Sequence, residues 1–104
     1  MSGSNGPPRR FRIGRMPAVL AQVQACYQKA DESGRAAEFV TAMQYILASL
    51  RTHPREFGEP AWTLPHARLV VRVSAHGPVW VRYAVHESEF EVVLLHVEFT
   101  TASD

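Results

Sequence analysis

The chain has 104 residues, 46% of them hydrophobic, with 11 Lys+Arg against 10 Asp+Glu and a formal net charge of +1. That length suits one domain that buries roughly 65% of its unfolded surface, so a modest core needs no disulfide or metal staple. Balanced charge excludes a bulk polycation, and no apolar run approaches the ~20 residues of a bilayer span.

Met1–Pro8 reads as a flexible leader too polar to bury, followed by one domain over residues 9–104. Arg9–Gly14 alternates basic and apolar residues, which predicts a short strand with Phe11 and Ile13 inward. Arg9, Arg10, Arg12 and Arg15 form a local basic cluster, either a solvated strand edge or a contact for nucleic acid or an acidic partner. Pro17 fits the first turn of a helix. Leu20, Val23, Tyr27 and Ala30 then repeat at helical spacing, flanked by Val19 and Cys26. Gly34 is suited to the left-handed position that ends this helix. A second helix starts at Arg35 or Ala36, carries Val40, Met43, Leu47 and Leu50 flanked by Phe39 and Ile46, and stops before Pro54. So short a break makes the two helices an antiparallel hairpin. Residues 51–65 hold three prolines and a glycine and read as an irregular connection, with Phe57 and Trp62 pinning it to the core rim.

From His66 to Phe99, three runs rich in Val, Leu and aromatics are separated by short polar or Gly/Pro breaks, which predicts an antiparallel meander. Alternation sets the faces. Leu69, Val71 and Val73 are expected to share an apolar face with Val79, Val81, Tyr83, Val85, Val93, Leu95, Val97 and Phe99. Arg68, Val70, Arg72, Trp80, Arg82, Ala84, Val92, Leu94, His96 and Glu98 fall on the other. The expected fold is α+β: a helix hairpin packed on one face of a mostly antiparallel four-stranded sheet, in the order β-α-α-β-β-β.

The mixed face is the candidate site. Arg72, Arg82 and His96 on neighbouring strands could hold a phosphate and move a proton from a ribose hydroxyl. Trp80 could stack a base, with Arg68, Arg10 and Arg12 as further contacts for nucleic acid or a partner. The same groups also read as a protein-binding face, or as solvated residues of a half-exposed sheet. His53, His66, His76, His86 and His96 lack the paired spacing of a zinc motif. Cys26, the lone cysteine, excludes an internal disulfide and reads as a packed core thiol. With that histidine spacing no metal is expected, and Gly-rich phosphate loops are absent, so no cofactor is expected either. The N-terminus has no hydrophobic signal core, so a cytoplasmic location is expected.

Three stretches carry a resemblance to a known family. Leu50…His53-Pro54-Arg55-Glu56-Phe57-Gly58-Glu59-Pro60, the strand Val79-Trp80-Val81-Arg82-Tyr83-Ala84-Val85, and the closing Glu91-Val92-Val93-Leu94-Leu95-His96-Val97 together resemble the RelE/ParE superfamily of bacterial type II toxins. The resemblance spans roughly residues 10–99. It implies a toxin-like component of a toxin–antitoxin system, acting on the ribosome and its messenger RNA or on gyrase, and neutralised by a small antitoxin. Ribosome-dependent members place a basic residue just after the last strand. Here the chain continues Glu98-Phe99-Thr100-Thr101-Ala102-Ser103-Asp104, so endoribonuclease activity does not follow from the resemblance. A non-catalytic interaction domain on the same scaffold stays the competing reading, and neither monomer nor homodimer is implied.

Overall fold

The computed structural model describes residues 10–14, 17–64, 66 and 68–100. The leader, Arg9 and Arg15 lie outside the described residues. In chain order the elements are β1 (Arg12–Gly14), α1 (Pro17–Glu32), α2 (Ala36–Thr52), α3 (Pro54–Phe57), β2 (Glu59–Leu64), β3 (Leu69–His76), β4 (Val79–His86) and β5 (Glu91–Phe99). The class is α+β, but the sheet among the described residues has five strands, in the order β1-β5-β4-β3-β2. β1 pairs with β5 in parallel, and the other three pairings are antiparallel. The extra strand is β2, which lies where the prolines of residues 51–65 predict an irregular connection. Pro60 is tolerated because β2 is an edge strand and sits at a register shift between Pro60 and Trp62.

The helix hairpin forms where its signals lie. Gly34 adopts φ +73, a left-handed conformation that needs no Cβ, and the Arg35 amide returns to the Ala30 carbonyl at 2.7 Å. The buried faces are rotated from those expected. On α1, Val19 and Ala30 are buried and Val23 and Cys26 pack beside them, while Leu20 and Tyr27 face outward at 52% and 45% exposure. On α2, Phe39, Ala42, Met43, Ile46, Ser49 and Leu50 are buried, and Val40 is exposed.

Register corrects the expected strand faces. Val81 stands opposite Val97 and Val79 opposite Phe99, all four buried under the helices. One extra β5 residue then intervenes, because Arg82 pairs with His96 whereas Tyr83 pairs with Leu94. Leu95 is that bulge residue, and beyond it the alternation flips. Val92 and Leu94, not Val93 and Leu95, therefore enter the core with Tyr83 and Val85. β3 is inverted along its whole length. Val70, Arg72 and Ser74 pair with Val85, Tyr83 and Val81 and so lie on the helix side. Leu69, Val71 and Val73 lie on the open side with His86, Ala84 and Arg82.

Helix-side polar groups have a definite task. Three side chains of β3 and β4 each donate to a carbonyl of the segment leaving α2. Tyr83 donates to Pro54 (2.8 Å), Ser74 to Phe57 (3.1 Å) and Arg72, through Nη1, to Gly58 (2.8 Å). The side chains thereby satisfy carbonyls of α3 and the residue after it. Gly58 is required by close approach. A Cβ there would lie 2.6 Å from both the Tyr83 hydroxyl and the Val73 carbonyl oxygen. At the sheet's other side, Phe90 takes φ +50, sets its ring 5.2 Å from that of Phe11 at a 45° tilt and gives its carbonyl to the Arg12 amide at 2.8 Å. These contacts hold the short β1 in place.

Candidate functional site

The open sheet face is built from rows of register partners. Trp62, Val71, Ala84 and Val93 make one row, and Glu59, Val73, Arg82 and His96 the next. Ala75, Trp80 and Glu98 make a third. Val71 and Ala84 form a buried floor at 2% and 4% exposure, although no helix among the described residues covers them. Longer neighbours shield them instead: the Arg82 guanidinium reaches across β3 to lie 5.9 Å from the centre of the Trp62 ring. Trp80 meets His96 edge to face at 5.8 Å. His96 in turn lies 3.4 Å from a Glu98 carboxylate oxygen through Nε2.

The three groups expected to share one surface do not. Arg82 and His96 are cross-strand partners, but Arg72 is on the opposite side of the sheet, bound to Gly58. Its Nε is buried with no hydrogen-bond partner among the described residues. A guanidinium spent on a structural carbonyl cannot also grip an open-face ligand. What remains in this cluster is Arg82, the His96 imidazole already facing a carboxylate, Trp62 and Trp80. Arg68 lies in the turn before β3 with φ +56, exposed beside Thr63 and Ser88, and not among these groups. Arg12 points to the far end of the open face, 4.0 Å from Glu91. Arg10 is exposed just ahead of β1. Trp62 is the group sequence reasoning assigned elsewhere: read as a rim anchor, it stands 48% exposed on the open face. Its signal was present in Glu59-Pro60-Ala61-Trp62-Thr63-Leu64, an edge strand disguised by a proline.

Chemically, this surface can stack planar groups on indole faces and offer one guanidinium to an anion. Arg and Trp are also the residue types that anchor protein interfaces. Cys26 is no rival centre. Its Sγ lies 3.6 Å from the Val97 carbonyl, and burial pushes the thiol up, which disfavours the nucleophilic thiolate.

A second feature lies on the helix side. Leu20, Val23, Tyr27, Val40, Met43 and Leu47 line a groove between α1 and α2, widening to a cleft of about 550 Å³ next to β1. The groove is apolar, and Leu20, Tyr27 and Val40 along it are exposed. No helix among the described residues is long and apolar enough to cross a membrane. No family model matches the chain, and no curated protein or solved structure matches it.

Proposed function

We propose that this chain is a toxin-like protein of the RelE/ParE kind that acts by gripping a macromolecular target through its open sheet face, without cutting it. The observation that carries this reading is the division of the arginines: Arg82 faces outward between Trp62 and His96, while Arg72 is tied to Gly58 on the covered side. Phosphoryl-transfer chemistry at a ribose calls for several preorganised cations around the phosphate. One guanidinium flanked by indoles suits an anchor residue in an interface better. A protein target such as gyrase therefore fits ahead of messenger RNA on the ribosome. The partner expected on the other side is a small antitoxin, whose apolar helix face would cover the groove lined by Leu20, Tyr27 and Val40.

A second reading, RNA cleavage, is favoured by the pairing of Arg82 with His96 beside Trp80. Here His96 would take the 2′-hydroxyl proton as that oxygen bonds to phosphorus, and Arg82 would hold the phosphate. The expelled 5′-oxygen would take its proton from the imidazolium or from water. Controlled induction in a bacterial host tests both. The proposal expects growth arrest with intact messenger RNA, lost in Trp62→Ala and Arg82→Ala and relieved by co-expression of a small partner. Cut transcripts would move the conclusion to the second reading. Absence of arrest would discard the toxin reading and leave a non-catalytic interaction domain.

A further inference from the structure

The two sheet edges are finished differently. On the β5 side, β1 pairs only with Glu91–Val93, and α1 takes over further along. The Val97 amide donates to Gln22 Oε1 at 2.9 Å, and the Val97 carbonyl faces the Cys26 thiol. On the other side, β2 is exposed at every residue from Glu59 to Leu64.

Backbone parity identifies which β2 groups face outward. In an antiparallel ladder, pairs that exchange both backbone bonds alternate with pairs that turn theirs away. Val97 spends its groups on α1, so Val81 opposite it turns its own toward β3 and bonds Ser74. The Thr100 amide bonded to the Pro78 carbonyl at 2.7 Å has the same parity. Carried across β3, this leaves Leu69 and Val71 to bond Leu64 and Trp62. Thr63, opposite Val70, then directs both its N–H and its C=O away from the sheet.

We infer that β2 pairs with β2 of a second copy, antiparallel and centred on Thr63. Around that two-fold axis the two Thr63 residues exchange both backbone bonds. Trp62 stands opposite the partner subunit's Leu64, and Leu64 opposite the partner subunit's Trp62. These flanking pairs are of the close, non-bonded kind, and they join the two largest exposed apolar side chains of β2, at 48% and 43% exposure, on one face. The patch is self-complementary, as a two-fold interface must be. Pro60 and the adjacent register shift end the ladder on one side, and the far side of β5 is taken by the three-residue β1 and, at Val97, by Gln22 of α1. The pairing uses β2 of both copies, so through this edge assembly closes at two chains. The inference is independent of the toxin reading.

Sedimentation velocity on the full chain, from low micromolar to near-millimolar concentration, tests it alongside hydrogen exchange at the Thr63 amide. The expected result is a reversible dimer, with Thr63 exchange slowing as concentration rises. Thr63→Pro removes an N–H that the sheet does not use, so the fold is kept. It should raise the dimer dissociation constant about tenfold or more. Leu64→Lys should weaken the dimer too, and Val40→Lys on α2 should not. A monomer at every concentration would overturn the inference, even if an extended peptide of another protein bound the same edge. So would a dimer unchanged in both β2 variants.

Discussion

Tyr83 joins the core to the turn below it. Its ring is fully buried, and its hydroxyl donates to the carbonyl of buried Pro54. Tyr83→Phe would leave that oxygen without its partner, at a cost of about 1–3 kcal/mol in chemical denaturation at neutral pH. Burial pushes the phenol up to about 12 from 10.0, so the neutral form is the one the fold favours. Its contribution is whole below pH 10 and disappears as pH rises through about 12. The gap between Tyr83→Phe and the parent should accordingly shrink across that window, a result that stability curves at several alkaline pH values would check. Gly58→Ala forces a Cβ against the Tyr83 hydroxyl and the Val73 carbonyl, and should cost about 1–3 kcal/mol by overpacking. Arg72 belongs to the same anchor, which is why a basic residue spaced like a catalytic one has a structural task.

α1 is both a core helix and the cover of the β5 edge. Gln22→Ala would leave the Val97 amide without its acceptor, so hydrogen exchange at Val97 should quicken while Val81, paired with Ser74 within the sheet, is unaffected. Local signals predicted both helices well, because Pro17, Gly34 and Pro54 act on the backbone directly. Which side of each helix is buried was less legible. Apolar residues surround much of α1 and α2, and periodicity alone cannot say whether Val19 or Leu20 faces the sheet. The meander was legible in its strands but not in its faces. Leu69, Val71 and Val73 look like core by composition, yet Trp62 and Arg82 shield the floor of the open side without a helix. The Leu95 bulge has no local signature, since every residue from Val92 to Leu95 is apolar, and a slip of one position there exchanges both faces.

At the scale of the fold, the sheet separates two surfaces. One side carries the hairpin and its apolar groove, and the other carries Trp62, Arg82, Trp80 and His96 on an aliphatic floor. Arg72 and Arg82 lie on opposite sides of this sheet, ten positions apart in sequence and one strand apart in space. The thermal unfolding midpoints of Arg72→Ala and Arg82→Ala, measured side by side, test that division most directly. Arg72→Ala breaks the bond to Gly58 and should lower the midpoint by about 4–8 °C or more. Arg82→Ala should stay within about 2–4 °C of the parent, as an open-face substitution does. An unchanged midpoint in Arg72→Ala, or a larger loss in Arg82→Ala, would contradict the assignment of the two arginines to covered and open faces.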